Sequence, residues 1–518
     1  MKVSTKDRQQ RNSSHSKTTR EIPKRLRRKF NSAEKRLEEQ TKALARARQE
    51  NDQLKIENQL LRTNVHQLQE TDQHQRRFAS VERFCEERGV VDHKFGARMI
   101  ALCVNLARSM GFRSVPVALN QIFDALGITA CVPSHDSIEH WSKRVGLAQL
   151  KKSRHRHKDW LWIVDHSNQI GQEKVLVILG IPASKLPPPG HTLSLDRLEV
   201  LAIVPGKSWK RDDVRKVYRQ VAQHSGTPRF VVCDGAVELR ETVDVLEKTG
   251  RNVLVLRDFK HFAANRFEKL VGKSQAFKSF SAAMGRTRCQ VQQTELAHLT
   301  PPSLKTKARF MNIEPIVRWA RLILMVLDDP HCEAMAEVDR DRVVEKLGWV
   351  KAYRDDVESW GCCCDLIDRS LRWINTQGLS RDSGQRLEEY LSISRTWSVE
   401  STEGQLRAML IQFAYDSGKQ MCRGERAWLS SEAIESAFGR YKCREAQHSR
   451  SGFTGLIVSL PSLLRQWTPT EIRQSLADVR TKDVRQWTKE NIGPTVAGRR
   501  AKAYQTLRQR TENEQTTA

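Results

Sequence analysis

The chain has 518 residues, too many for one ordinary hydrophobic core, so several domains are expected. Lysine and arginine number 88 against 61 for aspartate and glutamate, and the formal charge of +27 favours nucleic acid as a partner. No apolar run reaches the roughly 18 residues of a transmembrane helix, and the start of the chain lacks the apolar core of an export signal. The 11 cysteines contain no Cys-x-x-Cys pair, so we predict neither a zinc site nor a disulfide.

Residues 1–30 are rich in Lys, Arg, Ser and Gln and predict a disordered basic arm. Residues 31–75 follow a heptad pattern that is typical of a coiled coil. One series of this pattern contains Leu37, Leu44, Asn51, Asn58 and Val65, and the series three places later contains Gln40, Ala47, Leu54, Leu61 and Leu68. Asparagine in the first series favours two parallel strands, so we predict a homodimer through residues 37–68. A single amphipathic helix packed on its own protein is the alternative.

Residues 78–150 have the pattern of a helical domain. Three helices are predicted, the first over Phe95–Met110, the second over Val117–Leu126, and the third beginning after Pro133, with Ser134 or Asp136 as N-cap, and running to Gly146. The last two would form a helix-turn-helix, with Lys143 and Arg144 on its second helix placed to contact DNA. The basic tract Lys151–Lys158 follows directly and supports this interpretation. Three helices that pack together without contacting DNA would give the same pattern.

The pattern then changes to short β-branched and aromatic runs. Strands are predicted at 159–164, 174–181, 198–204, 230–233 and 252–256, with helices at 212–224 and 237–248. Three successive strands followed by a strand–helix–strand unit predict a mixed sheet covered by helices. Residues 260–429 carry a helical pattern throughout, and a further helix is predicted at 430–447.

Two of the predicted strands are followed by an acidic residue, Asp165 and Asp234. If these strands are parallel neighbours, both carboxylates project into one crevice at the carboxyl ends of the strands. Two carboxylates at such a short distance repel each other unless a cation lies between them, and Mg²⁺ suits such oxygen ligands. An aspartate at the end of one strand can also be an ordinary turn residue.

The helix at 430–447 supplies a third candidate carboxylate. Glu435 is followed by Phe438, Gly439, Arg440 and Lys442, and this tail favours Glu435 over Glu432. The two glutamates are three residues apart and share a helix face, so spacing alone does not separate them. Both could also be solvated surface charges.

The ordered set of these features resembles the RNase H-like catalytic core of DDE transposases, of the bacterial insertion-sequence type with a helical insertion before the catalytic glutamate. The resemblance implies that Asp165, Asp234 and Glu435 are catalytic and hold Mg²⁺ or Mn²⁺, with two ions in the site. Asp258 and His261 match the C/D-x-x-H motif that follows the fifth strand in many of these enzymes. They could equally form a purely structural pair.

The spacing of Glu435 and Lys442 matches the E-x6-K signature of the insertion-sequence family, which implies that Lys442 and the neighbouring Arg440 contact DNA. Upstream of the glutamate, Trp428 and Ser431 stand where that signature has Tyr and Arg. The resemblance covers residues 160–464.

The predicted fold is therefore an α/β RNase H-like mixed five-stranded sheet with a large all-α insertion, preceded by a coiled coil and a helix-turn-helix-like domain. The expected domains are a basic arm at 1–30, a coiled coil at 31–75, a helical domain at 78–150, the first part of the core at 155–260, the insertion at 261–429, the second part of the core at 430–470, and a basic tail at 471–518.

The expected activity is metal-dependent cleavage and transfer of strands of double-stranded DNA at the ends of a mobile element. The expected location is a bacterial cytoplasm, in association with the nucleoid. Three alternatives are a structure-specific DNA nuclease, a domesticated transposase that binds DNA without cutting it, and a zipper-type DNA-binding regulator. The regulator would leave most of the chain beyond the heptads without a role.

Overall fold

The computed structural model describes residues 24–85, 87, 89–90, 93–152, 157–168, 174–247, 252–303, 313–329, 338–392, 398–445 and 453–517. The chain divides into two compact units, Met1–Phe84 and Cys85–Ala518. Among the described helices, none combines the length and the apolar composition that crossing a membrane would require.

The first unit is built from one long helix, α1 (Lys24–Cys85). Its heptad leucines between residues 37 and 61 are about half exposed or more, for example Leu37 at 65% and Leu54 at 53%. The helix begins within the predicted basic arm and continues ten residues past the predicted end of the coiled coil at 75. The rest of the arm, residues 1–23, lies outside the described residues. Pairing of two such helices stays a prediction.

Three helices follow, α2 (Ala97–Leu106), α3 (Ser114–Ala125) and α4 (His135–Lys151). The hydroxyl of Ser134 caps α4 by accepting from the amide of Ser137. The helix runs five residues beyond its predicted end at Gly146. A Cβ at Gly146 would lie 1.9 Å from the carbonyl oxygen of Val458. Gly146 therefore allows the backbone at Val458 to approach α4 closely, and it does not end the helix.

The predicted mixed sheet of five strands is confirmed. Its strands are β1 (Trp160–Asn168), β2 (Lys174–Pro182), β3 (Glu199–Gly206), β4 (Phe230–Cys233) and β5 (Leu254–Arg257). They lie in the order β3-β2-β1-β4-β5. The pairs β1–β2 and β2–β3 are antiparallel, whereas β1–β4 and β4–β5 are parallel.

Strand β1 continues past its predicted end at 164, so Asp165 lies within a strand and not after one. The two strands that pair with β1 differ in length. Pairing with β4 stops at Val164 and Cys233, while pairing with the longer β2 continues to Asn168 and Lys174. The long antiparallel partner therefore keeps the backbone extended around Asp165.

One face of the sheet is covered by α5 (Arg211–Ser225). Its buried residues recur at helical spacing, at Val214, Val217, Tyr218 and Val221. They share a hydrophobic core with the alternating strand residues Trp160, Trp162, Val164, Val231 and Cys233. The single helix predicted at 237–248 is instead two short helices, α6 (Val237–Arg240) and α7 (Asp244–Glu247), as far as residue 247.

The described residues between 260 and 429 are helical, apart from loops and one isolated bridge between Leu379 and Ala427. The helices are α8 (Phe259–Phe267), α9 (Gln275–Val291), α10 (Ile313–Asp328), α11 (Arg340–Leu347), α12 (Arg354–Gln377), α13 (Ser383–Ser392) and α14 (Thr402–Lys419). The ring of Phe280 lies 5.1–6.3 Å from the rings of Trp319, Trp349 and Trp360, and this cluster joins α9, α10 and α12.

The last five helices are α15 (Glu432–Glu445), α16 (Leu460–Leu464), α17 (Pro469–Asp478), α18 (Thr481–Asn491) and α19 (Val496–Thr517). The region expected as a basic tail is thus helical. Helices α17 and α18 pack against α4, and α17 also packs against α2. The helices after the core and the helices before it therefore form one layer, although the sequence separates them by more than 300 residues.

Candidate active site

Asp165 and Asp234 project from the same face of the sheet. Successive side chains along an extended chain point to opposite faces of the sheet. Val164 and Cys233 belong to the core beneath α5, so Asp165 and Asp234, which follow them, face away from α5. Val164 and Cys233 are also direct partners in the parallel pairing of β1 and β4. The two aspartates therefore occupy neighbouring positions on the face opposite α5, as the sequence predicts for parallel neighbouring strands.

Asp165 is the strongly perturbed carboxyl of this pair. Burial raises its pKa, the negative charge of Asp234 raises it further, and Glu435 adds a smaller effect in the same direction. The amide of His166, which donates to Oδ1 at 2.7 Å, and the charge of His261 oppose this change. The result is a pKa of about 7. Asp165 is thus a half-buried acid that a neighbouring positive charge would ionise.

Helix α15 packs against β1, and the negative charge of Glu435 on this helix contributes to the raised pKa of Asp165. Its Oε2 lies 3.4 Å from Nζ of Lys260. Glu432 instead has its carboxylate held by three neighbours: Nζ of Lys260 at 2.9 Å, Nδ2 of Asn375 at 3.2 Å and Oγ of Ser430 at 3.4 Å. The geometry therefore favours Glu435 over Glu432 as the partner of the aspartates.

Asp258 connects the sheet to the start of α15. Its carboxylate is fully buried and accepts from the backbone amides of His261 and Ser431, while its own amide donates to the carbonyl of Cys233 at 2.8 Å. The adjacent amide of Phe259 donates to the carbonyl of Leu429 at 3.0 Å. One aspartate thus joins the end of β4, the first turn of α8 and the residues that precede α15.

The side chain of His261 also bonds to Asp258, with Nδ1 3.1 Å from Oδ1. Burial alone would raise the pKa of Asp258, but the bonds from His261 and from the amide of Ser431 outweigh it and lower that pKa. The pKa of His261 is raised, chiefly by Asp258, against the effect of burial, and the charges of Asp165 and Asp234 contribute. The surroundings of His261, including the charges of the two aspartates, therefore favour the protonated form of its imidazole.

Asp165, Asp234 and Glu435 supply only oxygen ligands, the kind that Mg²⁺ and Mn²⁺ prefer. Among the residues that the structure describes, no three His, Cys, Asp or Glu side chains are close enough to form a ready-made metal site. Glu435 is directed to Lys260, so it would have to leave this lysine to join the aspartates at an ion. The donor chemistry fits a divalent cation, whereas the described side chains as placed do not yet form a metal site.

Two basic residues on α15 were predicted to contact DNA. Lys442 is exposed and lies seven residues, about two helical turns, after Glu435, on the same side of the helix. Arg440 is half-buried, and its Nη1 donates to the carbonyl of Leu463 at 3.1 Å. Lys442 is therefore accessible to a ligand, whereas Arg440 also anchors α15 to α16.

The prediction that Arg144 contacts DNA needs correction. Its side chain is buried, and its guanidinium donates to the carbonyls of Leu476 and Val479 at the end of α17. Carbonyls at a helix C-terminus lack partners within the helix, and an arginine supplies both the donors and the favourable charge. Arg144 thus fastens α17 to α4.

Lys143 forms an ion pair with Glu139 on α4. It also lines a cleft of about 710 Å³ together with Arg485 and Lys489 of α18. Sequence reasoning missed these two residues, because nothing local to them indicates that they lie beside α4. It also missed Lys260, although this lysine stands inside the motif Asp258-Phe-Lys-His261.

No protein-family model matches this sequence, and no curated protein sequence is similar to it. Among solved structures, the chain is similar to a chain of the Drosophila P element transposase strand transfer complex. The similarity covers 80% of this chain and 98% of that chain, with 10% sequence identity and a TM-score of 0.38.

The raised pKa of Asp165 predicts how the variant Asp165→Asn changes stability with pH. Above pH 7 the folded protein holds an ionised Asp165 beside Asp234, whereas unfolding exposes it to water, where its pKa is near 3.8. Without divalent ions, the variant should therefore have a free energy of unfolding higher by on the order of 2 kcal/mol at pH 8. The gain should shrink as the pH falls below 7 and be small near pH 4.

Chemical denaturation in EDTA at several pH values measures this difference. Asp196→Asn is a suitable control, since a hydrogen bond from Ser194 lowers the pKa of Asp196 and its removal should bring no gain at pH 8. Equal stability of the wild-type protein and Asp165→Asn at pH 8 would contradict the described environment of Asp165.

Proposed function

We propose that this protein is a transposase that cleaves DNA strands at the ends of a mobile element and joins them to target DNA, using divalent metal ions. The observation that carries the proposal is the juxtaposition of Asp165 on β1 and Asp234 directly after the adjacent parallel strand β4, with the charge of Glu435 also raising the pKa of Asp165. The basic character of the chain, with a formal charge of +27, agrees with a DNA substrate.

We infer that the sheet is an RNase H-like core. In support, an antiparallel meander of three strands is followed by two parallel strands, and the outer antiparallel strand lies at one edge of the order β3-β2-β1-β4-β5. The two aspartates lie on the first and after the fourth strand in the chain. The third carboxylate follows a helical region of about 170 residues, which is the arrangement that the family resemblance implies for an insertion.

Asp165, Asp234 and Glu435 would hold the cations, which are Mg²⁺ or Mn²⁺ and number two. When bound, such ions polarise a phosphodiester and stabilise the attacking and leaving oxygens of an in-line displacement. The protein supplies the position of the carboxylates and their low-dielectric surroundings. Attack by water cuts a strand, and attack by the freed 3′-hydroxyl joins it to target DNA, so no covalent enzyme intermediate is required.

Other residues would act on the DNA or on the carboxylates. Lys442, exposed two turns after Glu435, is suited to a phosphate next to the scissile one. His261 bonds to Asp258 and interacts electrostatically with Asp165 and Asp234, so it would reduce the repulsion between these two aspartates while it is protonated. Lys260 forms ion pairs with both Glu432 and Glu435 and offsets part of their negative charge.

The test is a metal-dependent nicking assay on DNA that carries the element ends, with strand transfer from pre-cut ends as a second readout. Asp165→Ala and Asp234→Ala should each reduce both reactions by about 10³-fold or more, because a lost ligand removes several kcal/mol of transition-state stabilisation. DNA binding should survive, since the change removes negative charge.

Glu435→Gln and Glu432→Gln form a matched pair on one helix. The first should behave like the aspartate variants, whereas the second should keep most activity, because Glu432 is occupied by Lys260 and Asn375. Nicking at the wild-type rate by either aspartate variant would contradict the proposed site. Cutting without any joining would favour a structure-specific nuclease, and binding without either reaction would favour a non-catalytic DNA-binding protein.

We also propose that the chain is a homodimer through residues 37–68 of α1. The exposed leucines of the heptad pattern support this, since Leu44 and Leu61 are each more than half exposed on the isolated helix. Light scattering of the full-length protein should give twice the mass of one chain, and Leu54→Glu combined with Leu61→Glu should give the single-chain mass. A double variant of unchanged mass would place the subunit contact elsewhere.

A further inference from the structure

A second site is indicated by a cleft of about 800 Å³ in the helical region, which we call the arginine cleft. It lies where the segment from the end of α12 to the start of α13 meets the segment after α14. The bridge between Leu379 and Ala427 joins these two segments, with amide-to-carbonyl distances of 2.8 and 2.9 Å. Its wall carries four arginines, Arg381, Arg386, Arg423 and Arg426. Four arginines around one cavity indicate a ligand with several negative charges.

The two acidic residues of the cleft do not cancel these charges. Glu425 is already neutralised by Arg229, whose Nε and Nη2 donate to its two carboxylate oxygens at 2.7 and 2.9 Å. Asp382 accepts from the hydroxyl of Ser380, and this bond lowers its pKa, with a smaller contribution from Arg386. In the part of the chain that the structure describes, neither Arg381 nor Arg423 forms a salt bridge, and both are exposed. The cleft therefore keeps a net positive charge.

Two of the arginines are held in place before any ligand arrives. Arg426 donates to the backbone carbonyls of Gln377 and Pro187. Arg386 donates to Oε1 of Gln377 at 3.0 Å and lies over the ring of Trp373. Fixed guanidinium groups lose little conformational freedom on binding, so they are suited to recognise phosphate oxygens.

The arginine cleft is separate from the carboxylate site. Glu425 is bound to Arg229, which directly precedes β4, whereas Asp234 directly follows the same strand. Asp234 lies five residue steps after Arg229, and five steps of extended chain span about 16 Å. A phosphate in the cleft is therefore not the phosphate that reacts at the aspartates.

We propose that the arginine cleft binds backbone phosphates of the DNA at a distance from the cleavage site, with Arg381 and Arg423 as the direct contacts. This assignment rests on the proposed function, because it takes DNA as the substrate. A double-stranded DNA bound at both the arginine cleft and the carboxylate site would be held at two points. Its position along the protein would then be fixed relative to the carboxylates without recognition of its base sequence.

The experiment measures the affinity of the full-length protein for a short duplex in EDTA over a range of salt concentrations. Each phosphate contact contributes about 0.9 to the slope of the logarithm of affinity against the logarithm of salt concentration. Arg381→Gln combined with Arg423→Gln should therefore lower the slope by about 2 and weaken binding uniformly for duplexes of different sequence. Both side chains are exposed, so the variant should fold, and thermal denaturation checks this.

The matched control is Lys216→Gln combined with Arg219→Gln. These residues are exposed on α5, which covers the sheet face opposite the carboxylates, and the change removes the same net charge. The slope should be unchanged in this control. An equal decrease of the salt slope in both double variants would overturn the proposal, since the loss of net charge alone would then explain the decrease.

A second measurement separates DNA from a free polyphosphate as the source of the phosphates. If the cleft variant loses binding of inorganic tripolyphosphate but keeps the wild-type slope for DNA, the assignment to the DNA backbone is overturned. Because EDTA removes divalent ions, no cleavage occurs in the DNA measurement. Failure of the proposed reaction in the nicking assay therefore leaves this readout intact, and the two proposals can fail independently.

Discussion

The candidate active site depends on the buried carboxylate of Asp258. Asp234 and Glu435 are 201 residues apart in the sequence, and the intervening helices could carry α15 anywhere along the sheet. Asp258 removes this freedom, because its amide bonds to the last residue of β4 and its carboxylate accepts from Ser431, one residue before α15. Its buried charge is compensated by His261 and two backbone amides, so the connection is also electrostatically satisfied.

The same face of the sheet carries a second constraint, the mutual repulsion of Asp165 and Asp234. Burial raises the pKa of Asp165, the charge of Asp234 adds to this effect, and the result is a pKa of about 7. A protein gains no stability from such an arrangement, so it points to a function that needs concentrated negative charge. Among the described residues, the positive charge of His261 acts on Asp165 and that of Arg257 acts on Asp234, whereas Lys260 binds the glutamates rather than the aspartates. Divalent cations would supply the missing compensation.

Local patterns predicted the sheet well and the helical packing less well. Strand β4 begins and ends where its short apolar run does, since all four residues are buried. Asp165 was expected after β1 because the apolar run ends there, but pairing with the longer β2 extends the strand. Arg144 was misassigned because an amphipathic helix does not reveal what covers it, and the carbonyls that Arg144 binds lie more than 330 residues later. Spacing could not separate Glu432 from Glu435, since Lys260 and Asn375 reach Glu432 only in the folded chain.

The central claim is that Asp165, Asp234 and Glu435 share divalent cations. Anomalous diffraction from crystals soaked in Mn²⁺ tests it most directly, because the metal is located independently of activity. The account predicts at least one peak within coordination distance of both aspartates, with the carboxylate of Glu435 moved from Lys260 toward the ion. Ordered Mn²⁺ held elsewhere, with none between Asp165 and Asp234 at saturating concentration, would contradict it.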